Sequence, residues 1–240
     1  MVGRGGSGRL GDSAEMVRAR AAVLERGHFE PLAEAVAGRD RGPGHLSHPS
    51  PERGTMAAEL GAGTGYYLAR VDVDVRVAID LSKPAAALAA REAGLVSVVA
   101  DVEERVPLAD ASADLLMSVF APRPAAEAAR VVRPGGRFVV AMATEDHLGA
   151  LRAELGLIGV HPGKPRALRE RLAGAFEQDA AERVEYELEL TPEDAALIAA
   201  MGPSARHTTA PPRPGARRDR VSVDLLRFRR LDAPPPDPSK

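Results

Sequence analysis

The chain has 240 residues, 45% of them hydrophobic and 28% charged, long enough to bury one sizeable core. A formal net charge of −2 excludes a protein that coats nucleic acid by bulk electrostatics, and the absence of cysteine excludes a disulfide framework or a thiolate zinc site. No stretch approaches the roughly 18 uninterrupted apolar residues of a membrane span, and the polar, Gly-rich start lacks the apolar core of a secretory signal, so a cytoplasmic location is expected.

In chain order, residues 1–10 read as a disordered tail and residues 11–54 as a helical segment with a linker. From Asp12 to about Val36 the pattern is helical, broken by Gly27-His-Phe and Pro31, with Asp12 or Ser13 able to cap its first piece. A Gly-, Pro- and His-rich connection follows. Residues 55–231 then alternate short apolar strands with helices. Strands are expected at Thr55–Leu60, Val75–Asp80, Val96–Asp101, Ala113–Phe120 and Arg137–Ala143, and helices at Lys83–Ala93 and Ala125–Val132. Further on, Leu148–Leu157 and Arg166–Phe176 read as helices, Val184–Leu190 as a strand, Pro192–Met201 as a helix and Val221–Arg229 as a last strand. Residues 232–240 are a Pro-rich tail. The alternation predicts an α/β doubly wound sheet with helices on both faces.

The strongest chemical signal is Glu59-Leu-Gly-Ala-Gly-Thr-Gly65, placed between a strand and an expected helix opened by Tyr66 and Tyr67. Gly61, Gly63 and Gly65 let the backbone turn sharply and come close to a ligand. A dinucleotide fold asks for Gly-x-Gly-x-x-Gly. Here the glycines are evenly spaced behind an acid, which suits a cofactor without a pyrophosphate whose amino group needs a carboxylate. Asp80, fifteen positions after Gly65, ends the second expected strand, where a carboxylate can accept both ribose hydroxyls of an adenosyl group. Asp101 ends the third and can accept an adenine amino group. Three acids at consecutive strand ends form one crevice at the carboxyl edge of the sheet. They point to S-adenosyl-L-methionine and to a seven-stranded, Rossmann-like class I methyltransferase fold, whose last strand runs antiparallel.

After the fourth strand, Phe120 is placed to stack on a flat acceptor such as a base, or to be a core residue at a strand end, with Arg123 close behind it. His45, His48, His161 and His207 lack partners at ligand spacing, so no metal is expected. Basic runs at Lys164–Arg171 and Arg213–Arg220, with Arg18, Arg20 and Arg26, offer RNA contacts or simply solvated faces.

The segment Gly11-Asp-Ser-Ala-Glu-Met16, continued by Arg20 and Gly27-His-Phe-Glu-Pro-Leu32, resembles the linker of bacterial 23S ribosomal RNA (guanine-N1)-methyltransferases, a family that includes enzymes of tylosin-type macrolide resistance. The resemblance continues through Leu60–Tyr67, Ile79–Lys83, Phe120–Pro122, Ala129–Gly136 and His147-Leu148. It implies cofactor contacts at Phe29 (where a tyrosine is common), Tyr67, Leu68, His147 and Leu151, and 23S rRNA as partner. Family members carry a cysteine-rich zinc ribbon ahead of this linker, whereas ten residues and no cysteine stand there in this chain. The resemblance therefore implies either a lost module or a gene start placed downstream of it. Two other readings stay open: a methyltransferase acting on a small metabolite, and a non-catalytic RNA-binding or assembly factor that keeps the fold.

Overall fold

Seven strands form one sheet in the order β3-β2-β1-β4-β5-β7-β6. They are β1 (Met56–Leu60), β2 (Val75–Asp80), β3 (Leu95–Val99), β4 (Ala113–Val119), β5 (Val132–Ala143), β6 (Phe176–Leu190) and β7 (Arg217–Arg230). The first five run parallel, and β7 lies antiparallel between β5 and β6. This computed structural model describes residues 9–38, 54–157, 159, 163–202 and 214–232. His45, His48, His161, His207 and Arg213 lie outside the described residues.

The central strands are covered on both faces, so they read as nearly unbroken apolar runs; every residue of β4 is buried. Alternate side chains of β5 feed two cores. Val139 and Ala141 pack with α1 (Ala14–Glu25), α2 (Glu30–Ala37), α5 (Gly149–Leu155) and α7 (Pro192–Met201). Phe138, Val140 and Met142 face α4 (Ala125–Val131) and α6 (Lys164–Leu172). The remaining helix, α3 (Lys83–Ala89), follows β2 and adds Ala89 to the first core. The two N-terminal helices are thus part of the main core, with Val23, Leu24, Leu32 and Val36 buried in it.

Local chemistry sets the ends of these helices. The Ser13 hydroxyl accepts the Met16 N–H to cap α1, and Gly38 closes α2 in a left-handed conformation at φ 71°. On α7, Thr191 and Asp194 form a reciprocal capping box. Asp194 also binds Arg26 at 2.6 Å, which clasps α7 to the end of α1. Burial would push the Asp194 carboxyl up, but hydrogen bonds from Thr191 and Arg26 outweigh it and hold the group well below the usual carboxylate range.

Several expected boundaries move. No α-helix follows the Gly-rich loop: a single 3-10 turn, Leu68–Arg70, stands there, because the chain is extended again at Val71 and alternates β-branched residues into β2. β3 stops at Val99, so Asp101 lies in the loop beyond it rather than at its last position. α3 ends at Ala89 and not Ala93. β5 begins before the Pro134-Gly-Gly turn, at Val132, with its ladder interrupted between Ala113 and Leu115 on β4. Gly174, at φ 86°, breaks the chain after α6, so Phe176 opens β6 instead of closing a helix.

The largest extension is the antiparallel β6–β7 pair, which runs well beyond Val184–Leu190 and Val221–Arg229. Its extra length is rich in charge that obscures an apolar alternation, yet the charges pair across the strands. Arg229 meets Glu177 at 2.7 Å, Arg183 meets Asp224 at 2.9 Å and Arg220 meets Glu187 at 2.9 Å. Such exposed pairs contribute at most about 1 kcal/mol each, but a charged outer strand also discourages edge-to-edge association. Arg227 is fully buried, binding Glu182 and donating to the Ala35 carbonyl at 2.7 Å. No helix among the described residues is long and apolar enough to cross a membrane.

Candidate functional site

β1 and β4 are adjacent, and the chain leaves them toward opposite sides of the sheet, the topological position where doubly wound sheets bind ligands. A cleft of about 610 Å³ opens there, at the carboxyl ends of the parallel strands. Glu59, Gly61, Gly63, Tyr67, Asp80 and Asp101 line one part of it. Phe29, Phe120 and His147 line another. Gly65, Leu68, Leu151 and Arg123 do not line it.

Glu59, the penultimate residue of β1, is only 1% exposed. Burial pushes its carboxyl well above the usual range, against a hydrogen bond from the Leu68 backbone that favours the charge and repulsion from Asp80 that opposes it. Its Oε2 is buried without a hydrogen-bond partner among the described residues. A carboxylate withdrawn from water with one oxygen unsatisfied is a receptor for a cation or an N–H donor. Leu68 therefore serves the site through its backbone N–H, while its side chain is core.

Asp80 fixes the loop itself. Its Oδ2 accepts the Gly63 N–H at 2.8 Å and its Oδ1 accepts the Ser82 N–H at 2.7 Å. Each oxygen keeps a lone pair, so the carboxylate remains able to accept hydroxyl groups from a ligand. Gly61, at φ 66°, has no room for a side chain: a Cβ would fall 2.6 Å from the Ala121 Cβ. Gly65 serves packing, since its Cβ would meet Leu95 at 2.6 Å. Asp101 holds the Glu103 N–H at 3.0 Å and lies 3.6 Å from Arg9.

The other part of the cleft is aromatic. Phe29 and Phe120 meet edge to face at 6.4 Å, and Phe120 lies 5.4 Å from His147. Phe29 is buried, whereas Phe120 is 43% exposed with φ at 54°, a left-handed conformation costly for an aromatic residue. Such strain persists only where the surroundings enforce it; the Phe120 N–H bonds the Ala141 carbonyl, and the Ser118 hydroxyl holds the Ala121 and Pro122 carbonyls. His147 is held at a pKa of about 4 by burial and by nearby Arg152. Its Nδ1 accepts the Ser222 N–H at 3.3 Å, so the neutral ring carries its proton on Nε2 and acts as a donor there.

Arg123 turns away from the cleft. Its Nη1 donates to the Ala121 carbonyl at 3.0 Å, and burial together with Arg171 lowers its pKa. Leu151 is a core residue whose N–H is held by Asp219. Two features of the cleft wall come from the N-terminal segment, whose residues the sequence offered as a family likeness or as RNA contacts and not as part of this cleft. Leu10, Gly11 and Asp12 form part of its rim, and Arg20 reaches it from α1. No local pattern announces a contact between residue 20 and a loop beginning at residue 59. No group of three His, Asp or Glu suited to a metal occurs among the described residues.

Residues 58–140 match the model of a methyltransferase domain. A 23S rRNA (guanine(748)-N(1))-methyltransferase from Streptomyces fradiae is 40% identical over 201 residues, covering 82% of this chain and 70% of that protein. A relative from Micromonospora griseorubida, named for the same guanine-N1 reaction, is 38% identical over 213 residues, covering 83% and 72%. Among solved structures, geranyl diphosphate methyltransferase in complex with SAM shares the fold at a TM-score of 0.52 and 17% identity, covering 93% of each chain. The chain is a methyltransferase and belongs to the 23S rRNA (guanine-N1)-methyltransferase family.

Proposed function

We propose that the protein transfers a methyl group from S-adenosyl-L-methionine to N1 of a guanine in 23S rRNA. The observation that carries this reading is a single cleft with a buried, half-satisfied carboxylate at one end and a strained, exposed aromatic ring at the other. The residues present fit the cofactor. Glu59 would hold its amino group, Asp80 its ribose hydroxyls and Asp101 its adenine amino group, with Phe29, Tyr67 and His147 enclosing it. Bound there, the cofactor supplies an electrophilic methyl on a positively charged sulfur.

The protein's own task is then placement, which can contribute several kcal/mol. Phe120 would stack on a base displaced from its helix or presented in a loop. Arg123, with Arg171 nearby, would meet the backbone of the RNA just outside the cleft. His147 stays neutral near pH 7, adding no cation beside the sulfonium, and offers a donor instead of a base.

The reading is tested by incubating the protein with labelled cofactor and unmodified 23S rRNA. Transfer to one guanine is expected, detected as a stop in reverse transcription because N1 methylation blocks pairing. Absence of label from rRNA in any ribosomal context would overturn the acceptor and leave a small-metabolite enzyme in its place.

A further inference from the structure

Resting on that cofactor reading, we propose that Arg20 of α1 recognises the α-carboxylate of the cofactor, so that the N-terminal helix forms part of the cofactor site rather than only a linker. Arg20 lines the cleft, and its Nη1 is 3.3 Å from the position a Cβ would take on Gly63. The missing side chain at Gly63 therefore leaves the space into which the guanidinium projects. Nη2 is already committed, donating to Asp12 Oδ2 at 2.5 Å and to the Met201 carbonyl at 2.8 Å. Nη1 makes no hydrogen bond among the described residues and is the part of the fork left for a ligand.

The anchor is built from the same turn that fixes the ribose-binding acid. The Ser82 hydroxyl donates to the Asp12 carbonyl at 2.7 Å, while the Ser82 N–H is held by Asp80. Gly11 presses on that turn so closely that a Cβ would lie 2.7 Å from the Ser82 backbone. Asp80, Ser82, Asp12 and Arg20 thus form one connected rim, and Arg20 cannot drift without loosening it.

Charge balance decides what Arg20 is for. The cleft wall carries Asp12, Glu59, Asp80, Asp101 and Glu103, against Arg9 and Arg20 as its permanent cations. Arg9 is tied to Glu103 and Asp101 on the adenine side. A ligand with a free carboxylate would be repelled by this wall except at Arg20. Tyr67 marks the spacing: its phenol lies within electrostatic reach of both Glu59 and Arg20. One acid and one guanidinium on the same cleft wall match the two charges of an amino-acid zwitterion, with the ammonium toward Glu59 and the carboxylate toward Arg20.

Calorimetry tests this without turnover, using S-adenosylhomocysteine and its decarboxylated amine, which keeps the adenosyl and amino groups. Wild-type protein should bind S-adenosylhomocysteine at least tenfold more tightly than the amine. Arg20→Met should lose that preference by weakening S-adenosylhomocysteine alone, while leaving the amine within about threefold, and Arg20→Lys should restore part of it. Equal losses for both ligands would overturn the proposal and assign Arg20 only to the tie between Asp12 and Met201. A wild-type protein indifferent to the carboxylate would overturn it too, whatever the variants do. Wild-type protein that binds neither ligand would overturn the cofactor reading itself, a result distinct from lost selectivity.

Discussion

The two ends of the cleft are made differently. The Glu59–Asp80–Asp101 end comes from the last residues of β1 and β2 and the loop just beyond β3, so its acids share one sheet edge by topology alone. The Phe29–Phe120–His147 end is assembled from the start of α2, the turn after β4 and the turn after β5, and exists only through packing. The first is polar and hydrogen-bonded to its own backbone; the second is apolar, strained at Phe120 and neutral at His147. The contrast teaches that holding the cofactor's polar groups at the acids and presenting an acceptor at Phe120 are separable burdens, with Phe29 and His147 enclosing the cofactor between them, and each end should fail in its own way.

The sharpest separation pairs Asp80→Ala with Phe120→Ala. Removing the Asp80 carboxylate frees the Gly63 and Ser82 N–H groups and deletes the proposed hydroxyl contacts. Two charge-assisted bonds together amount to about 4 kcal/mol, so cofactor affinity should fall roughly thousandfold by calorimetry while the circular dichroism stays native. Phe120→Ala should leave that affinity within about threefold, since the ring is exposed and alanine keeps a Cβ at the same left-handed φ. Its cost should appear in methyl transfer to RNA, at about 1–3 kcal/mol for a lost stacking platform. A thousandfold loss of cofactor affinity from Phe120→Ala would erase the distinction between the ends.

How legible each end was follows from the same contrast. The strand-end acids could be read because a short apolar run stops at or beside them, and a parallel sheet aligns such stops. The end of β3 was placed two residues late because Ala100 continues the apolar run into the loop that carries Asp101. The short turn after Gly65 and the extra length of β6 and β7 were not legible. In one, the backbone yields to the following β-branched residues; in the other, cross-strand ion pairs replace the apolar alternation that marks a strand. Arg20 was read as an RNA contact or a solvated residue because nothing local distinguishes a guanidinium that faces solvent from one that faces a loop some forty residues on.

Acid–base behaviour gives a second, smaller separation, because the two ends titrate with opposite sign. Burial lowers His147 to about 4, from about 6.5 in the unfolded chain, so the unfolded state holds the extra proton between those values. Stability at this end is complete above about pH 6.5 and is lost as pH falls toward 4, by about 3 kcal/mol at 1.36 kcal/mol per unit. Glu59 is raised instead, so its charge opposes folding increasingly as pH rises above the unfolded carboxylate range. His147→Gln should therefore flatten the loss of urea resistance between pH 6.5 and 4. Glu59→Gln should raise urea resistance at pH 7 without cofactor while weakening cofactor binding. If both variants shifted the profile in the same direction, the opposed electrostatics of the two ends would be wrong.

The smallest expected effect concerns Arg123, which lies outside both ends yet is three residues from Phe120. Two roles compete for it. Its bond to the Ala121 carbonyl can hold the Phe120 turn in shape, whereas its proximity to Arg171, which adds to burial in lowering its pKa, makes a local concentration of positive charge suited to a phosphate. A phosphate contact is diffuse and replaceable, so Arg123→Ala should raise the KM for RNA only about three- to tenfold and leave kcat unchanged. It should also reduce the slope of log affinity against log salt by about one. A shape-holding role would do the reverse, lowering kcat through a displaced Phe120 and leaving the salt slope as it was. The phosphate role is the one expected, because Ser118 already holds the Ala121 and Pro122 carbonyls without help from Arg123.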